Sequence, residues 1–582
     1  MNNTLINDLL KITKKSLTYS SKYYGDKPII NVITPSLNKW LLVCLSIGYV
    51  SSTNANSIKI PIKESCPKKQ VNFKRNTIFN EQDKDTLFFH RWANALHITT
   101  KKITLENEAA FFLNKCRYNK KDLAELERHL RNRKYIRDAK VTTDENLKNI
   151  QVETWDNWSL MPTLSFGRKG GVNTYSIGIK DRNLFGLGID AQLQSFTNAQ
   201  RSGYKLDTVI PLFQKQNTEL SLRVANNDDG KQNTLFVQKK FASLTTKYAY
   251  SIGFNDEKRS DTIFQNNQTL TIFKHNIDYK AASLAWLSDS FTAYLKNDDD
   301  TLRFSLGLTQ NKQTFKSLND NLLSTTTQPE VSTKNSTLPQ NRNFTYPWFK
   351  MEYIERDYKK LTNIHLVTQI EDFNLGWHVK TKLGIADGNK VASAWALWRS
   401  SISKGFSFNE RTLAFVNFSF NGDVYDAGKN RLYTQFNGEL FYHLSKKWNI
   451  YLANTTIYSK NQYLDQPITL GGDTGMRGFP LQYQHGSRST KFTSELRYYP
   501  HINIYKLFEL AGAAYIDVGK ASGQSLATNI DPDWLYSIGI GARIYSTHAS
   551  IGRVIHIDLA KPFSDNPDLN GYEIRIQAKE TF

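Results

Sequence analysis

The chain reads as mainly β: a long antiparallel β-barrel over 158–582, preceded by one small α+β domain over 76–155. Three observations predict this. From Trp158 to Phe582 apolar residues recur at every second position, the period of a strand with two unlike faces. Helical spacing is confined to the stretch before it. The chain also holds 29 Tyr, 33 Phe and 11 Trp, yet its mean hydropathy is negative. A membrane barrel produces that combination, because lipid-facing and lumen-facing residues alternate along each strand.

No stretch reaches the roughly 20 apolar residues of a membrane-spanning helix. The longest apolar run is Trp40–Val50, with Lys39 before it and Ser51-Ser52-Thr53-Asn54-Ala55 after it. This is the three-part pattern of a secretory signal, with cleavage expected after Ala55. A buried core helix is the competing reading, and nothing amphipathic surrounds the run to favour it. Residues 1–55 are therefore assigned to a signal peptide with a long lead-in, and the polar, lysine-rich 56–75 to a linker.

Within 76–155, Leu123, Leu126 and Leu130 fall at helical spacing in Lys120–Asn132. Asn119 stands where a cap belongs, with Asp122 and Glu125 in the first turns. An earlier helix is expected from about Lys101 to Leu113, capped by Thr100. A strand near Asn76–Phe79 and strands at Ala139–Thr143 and Asn149–Thr154 complete the order strand, helix, helix, strand, strand. Cys66 and Cys116 would remain after cleavage, and the sequence leaves open whether they pair.

The long region alternates cleanly. Tyr175, Ile177 and Ile179 alternate with Ser176, Gly178 and Lys180, and Tyr536, Ile538, Ile540 and Ile544 with Ser537, Gly539, Gly541 and Arg543. In the last segment Tyr572, Ile574, Ile576, Ala578 and Phe582 share one face, and Glu573, Arg575, Gln577, Lys579 and Thr581 the other. A terminal strand ending in an aromatic residue is typical of bacterial outer-membrane barrels. Leu318–Asn343, rich in Ser, Thr, Asn and Gln, reads as an extracellular loop.

The formal charge is +21. Lys and Arg are spread along the whole chain among apolar residues, without a Walker loop, zinc-type spacing or a basic helix. This favours a solvated surface in contact with anionic lipid head groups over a nucleic-acid partner. No enzyme constellation stands out. His129 and Cys116 are isolated, no Gly-x-Ser-x-Gly occurs, and neighbours such as Glu371 and Asp372 would face opposite sides of a strand. No catalytic, metal or cofactor residue is nominated.

The most informative segment is Leu470-Gly-Gly-Asp-Thr-Gly-Met-Arg-Gly-Phe479, followed by Pro480 and by Ser494-Glu-Leu-Arg-Tyr498. An Arg inside a barrel needs a partner, since an unpaired buried charge is costly, and its planar fork suits a carboxylate. Gly471, Gly472, Gly475 and Gly478 permit the positive φ of a loop folded into a lumen. A solvated surface turn is the alternative.

The segment resembles the signature of the BamA/TamA family of outer-membrane barrels, within the bacterial surface antigen superfamily. There the tip of an extracellular loop folded into the lumen carries Val-Arg-Gly-Phe/Tyr; Met476 here stands in the Val position. Asp181–Gly188, Glu371–Gly376, Tyr515–Gly519 and His556–Pro562 resemble an early strand-turn element, a mid-barrel element, the strand opposite the loop tip and the penultimate strand. Tyr118, Leu123, Glu127, Leu130, Tyr135, Ala139 and Val141 sit as in the second half of a POTRA domain. The resemblance spans roughly 76–582. It implies about 16 strands; more than 16 strand-like segments are counted, the surplus between about 217 and 384, and some of these read as hairpins standing above the membrane. It also implies a lumen motif of Arg477, Gly478 and Phe479, with Asp517 as first partner and Glu495 as second.

The expected location is the outer membrane, with the N-terminal domain in the periplasm. The implied function is non-enzymatic insertion or translocation of unfolded outer-membrane or secreted client proteins, with a periplasmic protein as a further candidate partner. Clients would use a seam between the first strand, about Ser159–Phe166, and the last, Tyr572–Phe582, whose seam residues are Tyr572, Ile574, Ile576 and Phe582. The alternatives are a dedicated secretion pore for one exported partner and a non-transporting surface-antigen barrel.

Overall fold

The computed structural model describes residues 70–79, 87–144, 149–212, 217–288, 300–318, 338–366, 370–386, 394–425, 429–505, 507–546, 554–564, 566, 569, 571–579 and 582. The expected signal peptide, most of the linker, Cys66, most of the Leu318–Asn343 loop, and Glu580 and Thr581 lie outside them. Cys116 is disulfide-bonded.

The α+β unit begins with strand β1 (Gln70–Asn76), slightly earlier than the strand expected near Asn76–Phe79. Helices α1 (Phe88–Leu96), α2 (Lys102–Glu108), α3 (Ala110–Leu113) and α4 (Lys120–Arg131) follow, then strands β2 (Ile136–Thr143) and β3 (Asn149–Asp156). The sheet order is β1-β3-β2, with β1 parallel and β2 antiparallel to β3. Asn119 caps α4 in a capping box with Asp122. That orients Leu123, Leu126 and Leu130 onto Leu105, Phe112, Ile150 and Val152, which form the unit's core. Helix α1 was not expected, although Phe89, Trp92, Ala93 and Leu96 fall at helical spacing in its sequence.

Thr100 does not cap a helix. The α2 cap position is Lys101, whose side chain makes no capping bond. Instead the Thr100 amide and hydroxyl both donate to Asp156 Oδ2, at 2.7 and 2.9 Å, tying the helix entry to the end of β3. A buried carboxylate needs such donors more than an exposed helix end needs a cap. Glu108 is a second buried acid. It accepts from His129 Nε2 at 2.9 Å and Tyr135 Oη at 3.0 Å. Burial works to raise its carboxyl, but the charge of Arg133 and the bonds from His129 and Tyr135 outweigh it and hold the group down at about 2.

From Leu160 the chain forms 20 strands that close into an antiparallel barrel, the last, β27 (Glu573–Lys579), pairing with the first, β4 (Leu160–Lys169). The expected count of about 16 is corrected by this closure. Most of the segments between 217 and 384 are wall strands, among them β10 (Tyr248–Gln265), β11 (Gln268–Leu287), β12 (Thr301–Ser317), β13 (Arg342–Ile354) and β16 (His378–Ile385). Each bonds to neighbours on both sides. A closed wall has no edge at which such segments could be left out. Strands such as β10 and β11, with 18 and 20 residues, lie in the wall rather than standing apart from it.

Two hairpins lie off the wall: β14 (Tyr358–Thr362) with β15 (Ile370–Asn374), and β21 (Ile468–Leu470) with β22 (Gln484–Gly486). Glu371–Gly376, expected in mid-barrel, therefore belongs to the first hairpin and its exit turn. The barrel's outer face is apolar: Leu164, Ile177, Ile252, Leu306, Ile385, Ile540 and Ile574 are all exposed. Among the described residues no helix is long and apolar enough to cross a membrane.

The small unit sits on one end of the barrel. The turn between β5 (Val172–Leu184) and β6 (Ile189–Thr197) receives it, with the Gly186 carbonyl accepting from the Lys101 amide and the Thr104 hydroxyl, both at 2.8 Å. Phe185, Gly186 and Gly188 there have positive φ, which explains the Gly-rich Asp181–Gly188 stretch.

Candidate functional site

The barrel interior is occupied from both ends. From the end away from the small unit comes the loop between β20 (Trp448–Lys460) and β23 (Arg488–Ile504). Hairpin β21–β22 narrows it, and a 3₁₀ turn at Gly472–Thr474 reverses the chain. Gly475 and Gly478 take φ of 99° and 90°. Gly478 also lies so close to Pro562 that a Cβ would come within 3.0 Å of it. Met476 and Phe479 bury themselves with Leu470, Tyr483, Ala521 and Leu535, which points Arg477 between them the other way.

Arg477 donates Nε to Asp517 Oδ2 at 2.6 Å and one terminal nitrogen to Asp517 Oδ1 at 2.7 Å. Its other terminal nitrogen reaches Glu495 Oε1 at 2.8 Å, and its plane lies 3.3 Å from the Tyr515 ring centroid. Thr493 adds a hydroxyl donor to Asp517 Oδ1 at 2.8 Å. Glu495 Oε2 accepts from Arg497 Nε at 3.0 Å, so two arginines share two carboxylates and the cluster is neutral. All four side chains are buried, and such a cluster is tolerable only when every charge is paired.

From the other end comes hairpin β14–β15. Its turn enters the lumen, where the Ile364 carbonyl accepts from Arg497 at 3.2 Å. Ile364 and Leu375 pack on Leu413 and Phe441 of the wall. The chain Asp517–Arg477–Glu495–Arg497–Ile364 thus links the two inserted segments.

The seam lies between β27 (Glu573–Lys579) and β4 (Leu160–Lys169). These strands share one register pair, Ile576 with Arg168, whereas β27 and β26 (Val554–Phe563) share seven. Tyr572 and Ile574 are exposed beside it. Glu573, on the opposite face, accepts from the Gly478 amide at 2.8 Å and the Gly171 amide at 3.2 Å. One side chain of the last strand therefore holds both the loop tip and the β4–β5 turn.

The structure brings Arg477, Asp517 and Glu495 together, with Gly478 and Phe479 fixing the tip. It places Tyr572, Ile574 and Ile576 at the seam. Phe582, expected on the same face as Tyr572, Ile574 and Ile576, lies elsewhere. The regular strand ends at Lys579, and the Phe582 ring is buried with Tyr499, Ala511, Ala513, Tyr545 and Val554. Arg497 lies 4.5 Å from its centroid, and its amide donates to the His365 carbonyl at 2.7 Å. A seat among Tyr499, Tyr545 and Arg497 inside the barrel outweighs the parity that grouped Phe582 with the exposed residues. Glu573, Arg497 and His365 were not singled out from the sequence. Alternation placed Glu573 on the face opposite Ile574, and Arg497 lay within the quoted Ser494–Tyr498 stretch; nothing local marked His365.

No family model and no curated protein sequence matches the chain. Among solved structures it is similar to BamA from Haemophilus ducreyi lacking POTRA domains 1–3, at 12% identity over 89% of this chain and 85% of that one, with a TM-score of 0.39. It is also similar to CdiB from Acinetobacter baumannii, at 10% identity over 82% and 71%, TM-score 0.42. CdiB from Escherichia coli matches at 11% identity over 88% and 77%, TM-score 0.43.

Proposed function

We propose that this chain is an integral outer-membrane barrel that inserts or translocates client proteins without enzymatic chemistry, its α+β unit acting as a POTRA-like domain in the periplasm. The β27–β4 seam carries this reading. It is the one junction in the wall described by a single register pair, and both ends of the lumen beside it are filled. A weakly zipped junction next to a filled lumen favours lateral passage of a client strand over threading through the centre. The apolar outer face supports bilayer residence, and the dispersed basic residues suit anionic head groups. Unfolded outer-membrane or secreted proteins are the proposed clients, with a periplasmic protein as a further partner; nucleic acid is not one.

The location is tested by fractionation, with recovery in the soluble periplasm contradicting it. The route is tested by an Arg168→Cys/Ile576→Cys pair at the one seam register. Oxidation should abolish client assembly, and reduction should restore it. Full activity with a quantitatively locked seam would move the route into the lumen and make the chain a dedicated secretion pore.

A further inference from the structure

Hairpin β14–β15 is attached at both ends yet belongs to no wall. The small unit holds its outer end through α4. Arg131 donates Nε and a terminal nitrogen to both oxygens of Asp372 at 2.9–3.0 Å, a fork shielded from solvent on both partners. Lys360 reaches Glu127 at 2.6 Å, and the Arg128 guanidinium lies 3.7 Å over the Tyr358 ring. Because Leu123, Leu126 and Leu130 seat α4 in its own core, these contacts move with the small unit as a whole.

The inner end is a compact turn. The Glu371 carboxylate accepts from the amides of Ile364, His365 and Leu366 at 3.1–3.2 Å, which stiffens it, and two side-chain contacts tie it to the wall, Arg497 to the Ile364 carbonyl and His365 Nε2 to Glu439, both at 3.2 Å. This turn holds the end of the chain: the His365 carbonyl takes the Phe582 amide, and Leu366 packs against the cluster that buries the Phe582 ring. Phe582 closely follows β27, the strand with the single register pair to β4.

We infer that β14–β15 is a latch that couples docking of the small unit to closure of the seam. With the unit docked, α4 keeps the hairpin in the lumen, and the hairpin keeps the end of β27 against the inner wall. A shift of the unit must either break the Arg131–Asp372 fork or draw the hairpin outward. Since β14 and β15 pair only with each other, withdrawal breaks no wall ladder. Loss of the His365 and Leu366 contacts then leaves β27 held on the β4 side by the Ile576–Arg168 pair and the Glu573–Gly171 bond near its start, with its far end released. The device does not depend on which client uses the seam.

Hydrogen–deuterium exchange of the full chain in lipid nanodiscs tests it. Arg131→Glu should speed exchange in both 358–374 and 573–579, by roughly tenfold, and leave strand β24 (Phe508–Ser522) unchanged. Arg131→Glu/Asp372→Arg should return both segments toward wild type. Ile364→Ser, which acts from inside the barrel, should speed the same two segments and serves as the deciding variant if Arg131→Glu does not fold. Faster exchange in the hairpin with an unchanged β27 would overturn the latch. So would an unchanged hairpin in a folded Arg131→Glu protein.

Discussion

Arg477 and Asp517 meet in a two-bonded fork, Nε to Oδ2 at 2.6 Å and a terminal nitrogen to Oδ1 at 2.7 Å, between a loop folded into the lumen and a strand of the wall. The fork fixes the loop's depth and rotation together, because a planar pair tolerates displacement in neither.

Removing either partner leaves a buried charge short of its counter-charge, so Arg477→Ala and Asp517→Ala should each cost about 3–5 kcal/mol. The double variant should cost less than the sum. Denaturation midpoints of the four proteins supply the cycle; strict additivity would mean that the two groups do not interact.

Gly478→Ala is a small change with a large expected effect, since φ is 90° and a Cβ would stand only 3.0 Å from Pro562. Protease sensitivity between Leu470 and Tyr483 should rise. Gly512→Ala, where a Cβ meets only Gly541 O at 3.8 Å, should behave as wild type.

Phe582→Ala should lower stability by about 3–5 kcal/mol, as buried aromatic truncations do. Phe582→Leu should cost less, since it keeps most of the apolar volume. An equal, near-zero effect on thermal unfolding in both would place the ring outside the barrel.

Glu108 gives the small unit a pH dependence of definite sign. Its folded carboxyl is held at about 2 against an ordinary value of 4.5. A depressed carboxyl contributes stability that is fully present above the unfolded value and is lost as pH falls through the folded one. Protection of Ala110–Arg131 against pepsin should therefore fall between about pH 4.5 and 2. Glu108→Gln should be less protected at pH 4.5 and show a flatter profile; parallel profiles would remove Glu108 as the cause.

Much of this protein was legible in its residues. Period-two alternation announced the wall and separated Ile574 from Glu573 and Arg575, because a strand's two faces are written into consecutive positions. The spacing of Leu123, Leu126 and Leu130, with Asn119 before it, located α4, since capping and amphipathicity are local. A buried Arg477 demanded a carboxylate, though the choice of Asp517 and Glu495 came with a resemblance rather than from periodicity. Tertiary structure decided the rest. Alternation states which way a side chain faces, not which strand lies beside it, so 20 strands rather than about 16 emerged only when every edge had to be paired. The same blindness left open which of the strand-like segments between 217 and 384 stand off the wall; pairing decides that β14–β15 does. Phe582 left the outer face because a lumen lined by Tyr499, Tyr545 and Arg497 offers its ring a seat, and that seat is built by residues far from it in sequence.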